Sequence, residues 1–367
     1  MDAEQLDAVR DTARRFARRE VARMVGTEGR DGELSKLGGV LKRAARVGLL
    51  ASPDPDSPGH EYGVWGKACL TGGDAASLLV LEELAVECAG VATCVHVAGL
   101  GSLEQAGAKG TPSPAAVALF SGEWRPDWSA LDEPPAGAPV LAEGRLTGVA
   151  SFVYTPPGTE SYVVYAAGAT GWERVLVRVD GAGVSAREVG QRTGLSAVDV
   201  NHLAFEDVQI QQSRRLGPDA PHGYLRRLML GLCAIAVGNA RGALQAAVQY
   251  AGERYQGGAQ IEVHPAVQLL LGDSRSRIAT AGGCLADAAR FQGHTSVALW
   301  HALAAKLRVT LECDQAVSDC LQVLGGYGYM EDYRLEKRLR DAMTLKAMAI
   351  EPNTLRLLCA ANPGGDA

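Results

Sequence analysis

The chain has 367 residues, 47% hydrophobic and 21% charged, enough apolar mass for two or three packed units and too much for a disordered chain. Its formal net charge of -6 argues against nucleic acid as the main partner. The eight cysteines are scattered, with no C-x-x-C pair and no histidine cluster at ligand spacing, so free thiols in a reducing compartment are expected and no metal site is.

The first third of the chain has helical periodicity. Leu6, Val9, Ala13, Phe16, Ala17, Val21 and Met24 recur at helical spacing, with Arg14, Arg15, Arg18 and Arg19 on the remaining, solvated surface. Leu37, Val40, Leu41 and Val47 repeat the pattern, and "ASLLVLEELAVECAGVATCVHVAGL" is apolar nearly all round, which predicts a buried helix. The opening "DAEQLDAVRDTARRF" is no signal sequence, and no run reads as a membrane span. A cytoplasmic protein with no membrane partner is expected. The texture changes near Thr111. From about Val140 to Ile210, "RLTGVASFVYT", "SYVVYAAGA", "ERVLVRVD" and "VNHLAFEDVQI" alternate and are punctuated by glycine, predicting short antiparallel strands. From Tyr224 onward three long helical stretches return, each long enough to cross a bundle. The expected fold class is α+β: an N-terminal helical domain (1–112), a central antiparallel β-domain (113–215) and a C-terminal four-helix bundle (216–367).

Common catalytic signatures are missing. No G-x-G-x-x-G follows a strand, and there is neither a P-loop nor a G-x-S-x-G elbow. The β-region lacks intervening helices, which disfavours a Rossmann fold. An enzyme built this way takes its reactivity from a bound organic cofactor. The stretch "LGGYGYMEDYRLEKRLRDA", Leu324 to Ala342, joins a glycine turn to aromatic bulk and an Arg-Asp pair. Such a turn either ends one helix before another or lets bare backbone approach a ligand.

Three ordered stretches carry a family resemblance. "GQRTGLSAVDVNHLAFEDVQI", "YAGERYQGGAQIEVHPAVQLLLGD" and "CLQVLGGYGYMEDYRLEKRLRDA" resemble segments of the acyl-CoA dehydrogenase flavoproteins, and the α–β–α order extends the likeness over the whole chain. The resemblance implies FAD as cofactor and hydride transfer from an acyl thioester to flavin N5. It implies that Gln322, Gly325 and Gly326 of one subunit reach the adenosine end of FAD held mainly by a neighbour, hence at least a homodimer. Arg254 matches the arginine that meets the pyrophosphate, where a guanidinium fork suits paired oxygens. Phe152 falls beside the isoalloxazine, Asn353 stands where a glutamine contacts the flavin, and Ser121 stands for a flavin-contacting threonine. Arg340 and Asp341 are expected to form a buried structural pair.

The departures gather at the substrate end. The family's proton-abstracting glutamate is replaced in register by Ala349, and the earlier-helix alternative by Leu228. Glu351, two residues on, is the expected catalytic base. Pro352 after it equally suits a helix start capped by Glu351. The pattern looks most like the acyl-ACP dehydrogenases of polyketide methoxymalonyl-ACP extender-unit biosynthesis, which oxidise a hydroxylated three-carbon acyl group on an acyl carrier protein. Arg226 and Arg227 would face that acidic partner, or else form an ordinary solvated helix start. The alternatives are a conventional acyl-CoA α,β-dehydrogenase and a non-catalytic scaffold.

Overall fold

The computed structural model describes residues 2–25, 30–50, 64–65, 74–105, 114–119, 128–218 and 220–361. Helix α1 (Ala3–Phe16) begins with a reciprocal cap: Asp2 accepts from the Gln5 N–H at 2.8 Å, and the Gln5 side chain accepts from the Asp2 N–H. It runs on through a wider π turn over Ala17–Val21. Helix α2 spans Arg30–Arg46, α3 Ala75–Glu87 and α4 Ala89–Leu103. The long apolar stretch expected as one helix is therefore two, broken at Cys88, whose backbone is extended (φ -155, ψ 114). Neither Pro nor Gly stands at Cys88, so periodicity alone does not reveal the break. Arg14 is not merely solvated: its Nε donates to buried Glu83 at 3.0 Å and ties α1 to α3.

The sheet follows, with a short helix α5 (Ser129–Asp132) after its first strand. Its strands are β1 (Ala115–Ala118), β2 (Val140–Ala142), β3 (Arg145–Thr155), β4 (Ser161–Gly168), β5 (Gly171–Arg178), β6 (Val184–Glu188), β7 (Asp199–Gln209) and β8 (Arg215–Pro218). They lie in the order β6-β7-β3-β2-β4-β5-β8, with β1 beside β4. The sheet is antiparallel as expected except at β4, which both β1 and β2 join in parallel. Leu146, Val164, Leu203 and Phe205 lie in its own buried cluster, while Val163 and Tyr165 on alternate positions face the main core.

The last third contains α6 (His222–Glu253), a hairpin of β9 (Tyr255–Gln256) and β10 (Ala259–Gln260), then α7 (Pro265–Ala288), α8 (Ser296–Leu324), α9 (Leu335–Ala347) and α10 (Pro352–Ala360). Helix α6 packs most extensively on α8 and α3, which is why it is buried nearly all round from His222 to Ala240. By length and composition it qualifies as a membrane span, contrary to the expectation that no segment would. Yet 83% of that apolar window is buried inside the protein, as in a bundle core. The cysteines among the described residues are all free and buried or half-buried.

Candidate cofactor and substrate site

Helix α8 stops at Leu324 because Gly325 adopts φ +54, ψ -130, a backbone that side chains rarely tolerate. The chain then turns tightly through Gly325–Tyr329. Beside this turn opens a concavity of about 500 Å³ whose lining includes Tyr250, Arg254, Gln322, Gly325, Gly326 and Tyr327. Four expected cofactor residues thus come together: Arg254, Gln322, Gly325 and Gly326. Arg254 leaves α6 in extended backbone, with its guanidinium 5.5 Å from the centre of the Tyr327 ring. Tyr250, Tyr327 and Tyr333 pack on one another at 5.6–6.1 Å, which holds the turn against the end of α6. No carboxylate among the described residues pairs with Arg254. A half-buried, uncompensated guanidinium over an open cradle of glycine backbone fits the paired oxygens of a pyrophosphate.

Phe152 and Asn353 do not line this concavity. Phe152 sits in a bulge of β3, where three steps along β3 (Ala150 to Val153) face two along β7 (Leu203 to Asn201). Its φ is +55, its side chain is 49% exposed, and its ring meets His202 edge-on at 5.2 Å. A bulky residue held at positive φ is costly, and such strain gathers at functional positions. The bulge presents an aromatic face to solvent. Ser121 lies outside the described residues.

Glu351 does not meet the requirements for a buried base. It is exposed and is the N-cap of α10, accepting from the N–H of Asn353 (2.7 Å), the N–H of Thr354 (2.6 Å) and the Thr354 hydroxyl (2.7 Å). The bonds from Asn353 and Thr354 lower its pKa, whereas the expected base needed burial to raise it. Asn353 is also exposed, its side-chain oxygen accepting from Arg356 at 2.7 Å.

Ala349, which stands in register where the resemblance places the family's glutamate, adopts φ +64 and donates its N–H to the Tyr154 hydroxyl at 3.2 Å. Burial pushes the Tyr154 phenol upward, so it stays protonated near neutral pH. The loop bearing Ala349 is fastened from below by Lys306, fully buried on α8, whose ammonium donates to the carbonyls of Lys346 and Ile350, each at 2.7 Å. Burial lowers the Lys306 pKa to about 8. Sequence reasoning passed over both residues. Tyr154 stands two positions after Phe152 in "SFVYT", and Lys306 interrupts the apolar run "ALAAKL"; these are the signals that could have found them.

Two further expectations are corrected. Arg226 and Arg227 face inward: Arg226 is 2% exposed, donating to Asp74 and to the Phe291 carbonyl, and Arg227 Nε lies 3.7 Å from the same carboxylate. Both guanidinium groups are turned away from solvent against Asp74, so they offer no surface patch for an acidic carrier. Arg340 and Asp341 do not pair either. Buried Asp341 accepts from Lys337 at 2.8 Å and from the Leu195 N–H at 2.7 Å, while exposed Arg340 binds Glu336. Residues adjacent on a helix point apart, and each finds a partner on its own side.

Helical, sheet and bundle layers follow one another along the chain, with an open concavity at the bundle's glycine turn. The acyl-CoA dehydrogenase N-terminal domain matches residues 3–112, and the acyl-CoA dehydrogenase C-terminal domain matches residues 230–350. The chain belongs to the acyl-CoA dehydrogenase family. It is 26% identical over 366 residues to the caffeyl-CoA reductase–Etf complex subunit CarC of Acetobacterium woodii, covering 92% of this chain and 93% of that one. It is 27% identical over 372 residues to the probable acyl-CoA dehydrogenase YngJ of Bacillus subtilis, covering 92% of each. Among solved structures it is similar to glutaryl-CoA dehydrogenase of Mycobacterium smegmatis, with a TM-score of 0.83 at 20% identity over 100% of this chain and 96% of the other. A glutaryl-CoA dehydrogenase of the same organism has been solved in complex with FADH2.

Proposed function

We propose that this chain oxidises a small hydroxylated acyl thioester without a carboxylate base at position 349 or 351. Family membership makes it a flavin-dependent acyl-thioester oxidoreductase, and its cofactor is FAD. When bound, FAD would supply a hydride acceptor at N5. Arg254, Gln322, Gly325 and Gly326 hold the adenosine and pyrophosphate end, and Phe152 and Asn353 serve the ring end. The observation that carries the reading is Ala349 itself: a methyl group in left-handed backbone, its N–H bonded to a neutral phenol. Removing a proton from an acyl α-carbon calls for a positioned general base. Oxidation of a carbinol loses its proton from oxygen, which exchanges readily with water, and so tolerates the missing carboxylate.

The carrier is proposed as an acyl carrier protein, as in polyketide extender-unit biosynthesis, on the strength of the sequence resemblance. Coenzyme A is the second reading, favoured by the names of the relatives, which act on or are called after CoA thioesters. Anaerobic flavin bleaching tests both. Hydroxylated three-carbon thioesters should bleach the flavin, on ACP faster than on CoA, while propionyl and butyryl thioesters should leave it yellow. Equal bleaching by butyryl-CoA would restore ordinary desaturation, and failure of every thioester would refute the oxidoreductase reading in this form.

A further inference from the structure

An arginine side chain is long and free to swing, so one that serves a binding site has to be aimed. Elsewhere in this fold carboxylates do the aiming. Arg14 is held by Glu83, Arg174 by Glu104, Arg226 by Asp74 and Arg241 by Glu82. Such a pair fixes the guanidinium and also cancels its charge, leaving little attraction for an incoming anion. Arg254 is aimed differently. No carboxylate among the described residues pairs with it, and its guanidinium carbon lies over the Tyr327 ring, 5.5 Å from the centre. An aromatic face attracts a cation without neutralising it.

Each part of this arrangement is fixed by its surroundings. The Arg254 backbone is bonded on both sides: its N–H donates to the Tyr250 carbonyl and its carbonyl accepts from the Ile261 N–H, each at 2.9 Å. Only its side chain is left to be directed. Tyr327 is locked by two further rings. Tyr250 stands one turn before Arg254 on α6, and Tyr333 follows the glycine turn. The three ring centres are 5.6–6.1 Å from one another, and Tyr333 meets both of its neighbours edge-on. Gly328 lets the turn close on the end of α8, since a Cβ there would stand 2.5 Å from the Leu321 carbonyl oxygen. A side chain at 328 would force the turn outward, and Tyr327 with it. Tyr250, Arg254 and Tyr327 all line the concavity at the glycine turn.

We propose that Tyr327, buttressed by Tyr250 and Tyr333, is a positioning residue that holds the Arg254 guanidinium toward the diphosphate of FAD while leaving its charge uncompensated. This rests on the cofactor reading above, in which Arg254 meets the pyrophosphate. The ring acts through Arg254, so removing it should matter only while the guanidinium is there.

The test is FAD retention by the full-length holoenzyme, read by flavin fluorescence after equilibrium dialysis, in a double-mutant cycle. Tyr327→Leu should weaken retention about threefold to tenfold, between the values of an exposed and a desolvated cation–π contact. Tyr327→Phe keeps the ring and should recover most of that loss. In an Arg254→Ala background Tyr327→Leu should have no further effect, whereas a ring that merely braced the turn would weaken retention equally in both backgrounds. Tyr333→Leu, which removes a buttress and leaves Tyr327 in place, is the independent variant, and its smaller loss should likewise disappear without Arg254. Equal losses in the two backgrounds, or no loss in Tyr327→Leu, would overturn the positioning role and leave the cradle standing. Unchanged retention in Arg254→Ala would instead remove Arg254 from the cradle, and this proposal with it.

Discussion

Glu351 offers a direct test of whether position or environment assigns a catalytic residue. Its carboxylate accepts two backbone N–H bonds and one hydroxyl bond at the start of α10. Deleting such a cap costs about 1 kcal/mol, and losing the charge at a helix N-terminus adds about 0.3–1 kcal/mol. Glu351→Ala should therefore destabilise the protein by about 1–2 kcal/mol. Glu351→Gln keeps an acceptor and should cost only about 0.5 kcal/mol. The capping bonds lower the folded pKa below the ordinary carboxylate value of 4.5. The stabilisation is therefore present above pH 4.5 and is lost as pH falls through the folded pKa. Denaturant melts of the holoenzyme at pH 7 and pH 4 measure these differences. Rapid mixing with a reducing acyl thioester measures the chemistry, and both variants should reduce their flavin within about twofold of the wild-type rate. A fall of roughly a hundredfold or more in Glu351→Gln, with the melt unchanged, would reinstate Glu351 as the base and refute the capping argument.

Arg254→Ala should weaken FAD retention by about 1.5–3 kcal/mol, the value of a charge-assisted bond to phosphate, and unchanged affinity by equilibrium dialysis would remove Arg254 from the cradle. Because Arg254, Gln322 and the glycine turn line one concavity while Phe152 and Asn353 do not, a site using both groups is expected to be completed by a second copy. Light scattering should find at least a dimer; an active, flavin-loaded monomer would rule this out. Lys306 titrates in the folded protein at about 8, below its ordinary 10.5, so between these values the unfolded chain binds more protons and stability should rise with pH. Relative to Lys306→Met, wild type should gain up to about 3 kcal/mol from pH 7 to pH 11, and a flat difference would show that the ammonium is not desolvated.

What the sequence revealed divides by the kind of signal. Long periodic helices such as α6 and α8, and alternating strands such as β3, follow from which faces must be buried, and pattern reading captures them. The break at Cys88 does not, because tertiary packing sets it without a helix-breaking residue. The glycine turn was legible because Gly325 is demanded by its own backbone geometry. Partners were not. Arg226 and Arg227 resemble a surface pair until Asp74, more than 150 positions away in the chain, is brought against them. Asp341 was expected beside its neighbour Arg340, yet its partners are Lys337 one turn back and the Leu195 N–H of the loop before β7. Local spacing limits what a side chain can reach but does not choose among distant partners.

The concavity at the glycine turn and the loop around residue 349 are built by different means. The cradle needs little beyond an unpaired guanidinium, one glycine at positive φ and a packed tyrosine cluster. The substrate end depends on backbone held away from its relaxed conformation. Phe152 and Ala349 both carry positive φ, each costing of order 1–3 kcal/mol, and such conformations persist only where the surroundings over-determine them. At Ala349 those surroundings are the Tyr154 hydroxyl on one side and, through the carbonyls of Lys346 and Ile350, the Lys306 ammonium on the other. A loop that had simply lost its carboxylate would have no need of a buried lysine whose own desolvation is unfavourable. Its presence argues that the shape of the loop around residue 349 is required, with a backbone N–H and a phenol where acid–base chemistry was expected.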